Sequence, residues 1–239
     1  MAIEVGRVEA IYRYPVKSMR GEPLETAALG WHGLEGDRRL AFLRLEASGG
    51  FPWLTASKLP DLVRFTPVRR DGGELPTHIR TPEGEEMEAF GEALATELGR
   101  RFGGPVRMMH LKDGIFHDAN LSVITTGTVS ELCRLAGQDG EARRFRPNVV
   151  VRSVSPAPFA EDEWLGGTLT FGEGEDAPAV SATIHDLRCV MVNIDPSSAS
   201  TKSDVLKAAA RANRGNAGIY GTITRIGRLA VGQPVFLTR

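Results

Sequence analysis

Residues 145–152 (FRPNVVVR), 167–172 (GTLTFG), 179–184 (AVSATI) and 188–194 (RCVMVNI) are four short runs rich in Val, Ile, Thr and Phe. Gly- and Pro-bearing loops separate them, and each reads as a strand. A final Gly-broken pair, 219–226 and 229–237, continues the pattern. Upstream, residues 4–15 form a Val/Ile/Tyr-rich run that stops at Pro15, and RRLAFLRL at 38–45 reads as a further strand. Helical spacing is scarce beside these runs. Leu94, Leu98 and Phe102 recur four apart in 91–103, Thr128 and Glu131 have capping-box spacing ahead of a helix that stops near Gly137, and 203–213 reads as a third helix. So few helices cannot cover both faces of a parallel sheet, which predicts a mainly β, barrel-like and mostly antiparallel fold with short inserted α-helices.

The chain has 239 residues, enough for one large domain or two small ones. A weak boundary near 104–117 predicts an N-terminal β-rich region over 1–104 and a second unit over 105–239. Lys plus Arg number 29 against 30 Asp plus Glu, so the net charge of −1 provides no global field toward nucleic acid or anionic lipid. No apolar run approaches the ~20 residues of a membrane helix, and charges occupy the N-terminus where a signal peptide would be apolar. A cytoplasmic protein that binds neither membrane nor nucleic acid is therefore expected. Two cysteines, Cys133 and Cys189, exclude a disulfide framework, a four-thiolate zinc site and a cysteine-held iron–sulfur cluster.

Chemistry-bearing residues fall into three groups. In Tyr14-Pro15-Val16-Lys17-Ser18, the proline hands a cation, a hydroxyl and free backbone N–H groups to one turn, a combination suited to phosphate but also ordinary at a strand end. Arg38, in Gly36-Asp37-Arg38-Arg39, either reaches an anion or pairs with Asp37. Arg143, Arg144 and Arg146 place three guanidiniums within four residues, with Asn148 adding an amide able to read a heterocycle edge. No second basic tract or aromatic run accompanies them, which favours a small anion over nucleic acid. Cys189 follows the permanent cation Arg188, a neighbour that favours the thiolate form that ligates soft metals or attacks electrophiles. Strand alternation would place Cys189, Met191 and Asn193 on one face. Cys133, four residues after Val129 on an apolar helix face, reads as an ordinary buried thiol. Among His32, His78, His110, His117 and His185 no zinc spacing occurs, and no nucleotide-loop or serine-hydrolase signature is present. The acidic run Glu161-Asp162-Glu163 reads as a solvated loop.

Taken in order, these segments resemble the MOSC superfamily (molybdenum cofactor sulfurase C-terminal domain) with its N-terminal β-barrel region, the group of YcbX-like and amidoxime-reducing-component-like proteins. The resemblance spans nearly the whole chain. It rests on IYRYPVKSMRGEPLETAALGWHGLEGDRRLAFL at 11–43, FRPNVVV at 145–151 with FAEDEW at 159–164, RCVMVNIDP at 188–196 and YGTITRIGRLAVGQPVFL at 220–237. It implies a molybdenum cofactor, Mo-molybdopterin, with Cys189 as the metal ligand and catalytic residue. It further implies that Lys17, Ser18, Arg38, Arg146 and Asn148 hold the pterin and its phosphate beside Arg188. Thr125 and Thr126, at the start of the second helix, would bring hydroxyls and helix N-terminal amides to the same group. Asp195, Tyr220 and Gly221 are implied as turn or pocket residues. One departure is Thr55-Ala56-Ser57-Lys58, where relatives have TARQ, so a basic contact has changed.

The activity implied is reduction of N-hydroxylated or other N-oxygenated compounds, or S-oxygenated ones, by oxygen-atom transfer at molybdenum. The chain carries no cysteine cluster, so a separate electron-donor redox protein, of ferredoxin or flavoprotein type, is expected. Two alternatives stand beside this reading: a sulfur carrier that uses a Cys189 persulfide, and a cofactor-binding protein without turnover.

Overall fold

A computed structural model describes every residue except Asp71 and His117, so one histidine of the tally above lies outside the described residues. In the first half, β1 (Ile3–Arg13) is followed by β2 (Glu22–Leu24), β3 (Thr26–Gly30), β4 (Gly33–Leu34) and β5 (Leu40–Arg44). Then come β6 (Thr66–Val68), β7 (His78–Arg80), β8 (Glu86–Glu88), helix α1 (Glu92–Phe102) and β9 (Val106–His110). The second half runs β10 (Leu121–Thr125), α2 (Thr126–Leu135), β11 (Val149–Ser153), β12 (Thr168–Phe171) and β13 (Ala179–Leu187). It ends with α3 (Asp204–Asn213), β14 (Asn216–Arg225), β15 (Gly227–Ala230) and β16 (Pro234–Thr238).

Strand β1 pairs antiparallel with β11 on one side and β16 on the other, although those partners lie more than 130 residues downstream. The circuit β1-β11-β10-β14-β13-β12-β16 therefore returns to its start and closes a seven-stranded barrel, which leaves no open edge along it. The mainly β, barrel-like architecture expected above is the one observed. Inward-facing Val8, Ile11, Val123, Val151, Leu169, Phe171, Val180, Ile219 and Val235 fill its interior. A second apolar cluster joins the β5–β9 ribbon, the β6-β7-β8 meander and the Leu94/Leu98 face of α1, and reaches the barrel side through Val16, Met19 and Ile194. Helices α2 and α3 pack Val129, Leu132, Val205 and Ala209 over Ile124 and Val150.

Four local expectations are corrected. Residues 188–194 do not form a strand. Pairing of β13 with β14 ends at Leu187↔Asn216, and the chain then turns through a short 3-10 segment, Val190–Asn193, closed by Val192 N–H donating to Cys189 O. The cap of α2 is Thr125 rather than Thr128, because the Thr125 hydroxyl accepts from Thr128 N–H at 3.2 Å while Glu131 pairs with Arg134. The expected run 229–237 is two strands separated at Val231-Gly232, where Gly232 takes φ +85°. Glu161 is not solvated: it is fully buried, accepting from the hydroxyls of Thr125 and Thr128.

Candidate functional site

Three turns meet at one cavity because β1, β5 and β11 each begin or end beside it. Its volume is about 380 Å³, within the ~300–1,000 Å³ usual for small-molecule sites. The turn after β1 supplies Lys17 and Ser18, the turn before β5 supplies Arg38, and the turn before β11 supplies Arg146 and Asn148. Ser18, Arg38 and Arg146 all adopt the left-handed backbone region, with φ of +69°, +51° and +52°. Such a conformation costs a non-glycine residue about 1–2 kcal/mol, so three of them at one cavity are held there by their surroundings.

Those surroundings centre on Asp37, which is completely buried. Its Oδ1 accepts from Tyr14 N–H at 2.6 Å; its Oδ2 accepts from Arg38 and from Asn148 Nδ2 at 3.1 Å. Arg38 also donates to Arg146 O at 3.0 Å, which ties the second turn to the third. The amide of Asn148 is fully engaged, with Oδ1 accepting from Ser122 N–H at 3.2 Å and Nδ2 donating also to Tyr12 O. It thus braces the turns rather than offering free edges to a heterocycle. The Arg146 guanidinium stacks on the Tyr14 ring at 4.2 Å and donates to Met19 O at 2.9 Å.

Six basic residues (Lys17, Arg38, Lys58, Arg144, Arg146 and Arg188) line the cavity against two acidic ones, Asp118 and Asp186. Lys17 Nζ donates to Ile115 O at 3.0 Å. Its burial, together with the Arg38 and Arg146 guanidiniums, pushes its ammonium down to about 7. Burial likewise lowers Arg146 to about 10. Crowded cations raise one another's free energy in a partly dry site, and an anion among them lowers it.

Cys189 is exposed and lines this cavity, whereas Cys133 is buried on the inner face of α2. Arg188 turns inward from its neighbour, donating to Ala217 O at 2.6 Å and to Phe145 O at 2.7 Å and forming an ion pair with Asp186 Oδ2 at 2.8 Å. Asp186, whose carboxyl is raised from its ordinary value by burial, also accepts from the Ser122 hydroxyl. No group of three or more His, Cys, Asp or Glu placed to hold a metal occurs among the described residues. A metal here would need to bring its own chelator and take one thiolate from the chain.

Lys17, Ser18, Arg38, Arg146, Asn148, Arg188, Cys189 and Tyr220 therefore share one cavity. Thr125 and Thr126 do not reach it: Thr125 is buried against Glu161, and Thr126 faces a separate groove beside Ser155 and Pro158. Gly221 packs inside the barrel beside Val180, and Asp195 accepts from Arg144 and from Ser197 and Ser198 N–H outside the cavity. Thr55, Ser57 and Lys58, from the departing TASK segment, do line it. Asp186 and Ser122 escaped sequence reasoning, since nothing local announces a contact made 64 residues apart.

The model of the MOSC domain matches residues 99–236, and that of the MOSC N-terminal beta barrel domain matches residues 5–101. Human mitochondrial amidoxime-reducing component 1 is 23% identical over an alignment that covers 98% of this chain and 83% of the relative. The crystal structure of the YUAD protein from Bacillus subtilis superposes with a TM-score of 0.54 at 14% identity, covering 99% of this chain and 97% of that one. No helix among the described residues is long and apolar enough to cross a membrane.

Proposed function

The chain belongs to the MOSC domain family, and from that membership we propose that it is a molybdenum-cofactor-dependent oxidoreductase that reduces N-oxygenated compounds, N-hydroxylated ones such as amidoximes foremost. One observation carries the reading: an exposed thiol, Cys189, and an under-neutralised cation cluster of Lys17, Arg38 and Arg146 share a cavity of cofactor size. The donor set suits this group, because one thiolate completes a metal already chelated by a pterin dithiolene and the cations match its phosphate. The relative's name, amidoxime-reducing component, supports the substrate class.

When bound, the cofactor supplies two-electron oxygen-atom transfer. The chain's own residues do the rest. Cys189 contributes the thiolate. Lys17, Arg38 and Arg146 fix the anionic tail through charge and, for the arginines, a rigid fork. Lys17, poised near 7, holds or releases a proton at Nζ within the same cavity. Phe51, Phe116, Leu187 and Val190 give the lining apolar surface that limits water and favours small organic substrates. Electrons come from a separate redox protein of ferredoxin or flavoprotein type.

The test is elemental analysis and turnover of protein expressed in a host that makes the pterin. Stoichiometric molybdenum, with reduction of benzamidoxime by a chemical or protein electron donor, is expected. Protein without molybdenum that carries a reversible extra sulfur on Cys189 would instead mark a sulfur carrier, and molybdenum without any reduction a binding protein.

A further inference from the structure

A second, much smaller cavity lies behind the first, and Arg144 and Arg146 line both. Its volume is about 20 Å³, room for one water-sized particle. Tyr14, Arg20, Gly21, Arg143, Arg144 and Arg146 line it, together with the apolar side chains of Met191 and Ile194. Four of these residues carry a buried side-chain donor with no hydrogen-bond partner: Tyr14 Oη, Arg20 Nε, Arg144 Nε and Arg146 Nη2. A buried unpaired donor costs about 1–3 kcal/mol, and more when it is charged. Four residues with such a donor line this one small cavity.

The sign of that occupant follows from the groups present. Three of the four unpaired atoms are guanidinium nitrogens that only donate, and the fourth, the Tyr14 hydroxyl, can donate as well, so an acceptor that carries negative charge can engage all four. Glu141 answers Arg143 and Asp195 answers Arg144, but no carboxylate pairs with Arg146 or Arg20 among the described residues. Arg20 is thus left without a counter-charge, and so is Arg146 wherever the large cavity holds no anion. Tyr14 is 1% exposed, and a Cβ on Gly21 would come within 2.4 Å of its ring, so the missing side chain there lets the chain close over the phenol.

We propose that this cavity is a binding site for a single small inorganic anion, chloride being the one tested, held by Tyr14 Oη–H and the guanidiniums of Arg20, Arg144 and Arg146. The anion neutralises the wall shared with the larger cavity and holds Arg144, which in turn donates to Val192 O and Asp195 on the segment that follows Cys189. The site does not depend on the cofactor reading and stands or falls without it.

The test compares thermal unfolding in sodium chloride, sodium bromide and sodium gluconate at one ionic strength, using protein made with and without a pterin-producing host. Both halides raise the midpoint by a few degrees over gluconate and saturate with concentration, in both preparations. In Arg20→Gln, and independently in Tyr14→Phe, half-saturation moves at least tenfold higher. Crystals grown in bromide show an anomalous peak among Tyr14, Arg20 and Arg146. Equal midpoints in chloride and gluconate overturn the site. So does a bromide peak found only beside Lys17, or a halide response confined to cofactor-free protein, which would make this void part of the cofactor's own site.

Discussion

Arg188 and Asp186 meet at the end of β13, Nη1 to Oδ2 at 2.8 Å, with side chains 6% and 3% exposed. They lie two residues apart, so strand alternation sends both to the same side. Their contact, with the bonds from Arg188 to Phe145 O and Ala217 O, anchors the backbone one residue before Cys189. Removing one member of a buried pair leaves the other uncompensated. Asp186→Ala should therefore destabilise the fold by about 3–5 kcal/mol, and Asp186→Asn by clearly less. Denaturant unfolding checks this, and a loss below about 1 kcal/mol for the alanine variant would contradict it.

Lys17 gives the cofactor-free protein a distinctive pH dependence. Its folded value near 7 lies below the unfolded value of about 10.4, so the unfolded chain binds more protons between the two. Stability should accordingly rise as pH climbs from about 7 toward about 10. Lys17→Met should flatten that slope, and so should an anion resident in the cavity. An unchanged slope in Lys17→Met rules the assignment out.

Glu161 titrates in the opposite sense. Burial raises its carboxyl, although the Thr125 and Thr128 hydroxyls hold one oxygen. The folded state keeps the proton longer than the unfolded chain, so its contribution to stability falls as pH rises through and above the ordinary glutamate value near 4.3. Glu161→Gln retains an acceptor for both hydroxyls and should unfold at higher temperature than the parent at pH 7, with the difference vanishing near pH 4. A lower midpoint at pH 7 would show that the carboxylate is needed ionised.

The two thiols should separate by access alone. Iodoacetamide should modify Cys189 and spare Cys133 in the native protein, and both should react after unfolding. Peptide mass mapping reads the outcome. Equal protection of the two would mean that the cavity is closed around Cys189 in solution.

The β-branched runs after Pro147 and Pro178 were legible as strands, but the expected run 145–152 begins only at Val149, because Phe145 closes a 3-10 turn and Arg146 is left-handed. RCVMVNI was not, since its alternation suits a strand but its pairing partner runs out at Asn216, a fact of the folded register. The cap of α2 was misplaced by three residues because Thr125 and Thr128 both have a polar residue three positions on. The cations of the large cavity could be named from their turns. What braces them could not: Asp37 receives Asn148 from 111 residues away, and Asp186 receives Ser122 from 64. The Tyr14 and Arg20 void was equally silent, because unpaired donors become visible only when every partner has a position.

The most direct measurement is X-ray absorption at the molybdenum edge on the protein and on Cys189→Ala, each expressed with the cofactor. Loss of one sulfur neighbour from the metal in the variant, with the pterin still bound and turnover abolished, is the predicted result. An unchanged sulfur count, or a variant that still reduces the N-hydroxylated substrate at the parent's rate, would show that Cys189 is not the ligand.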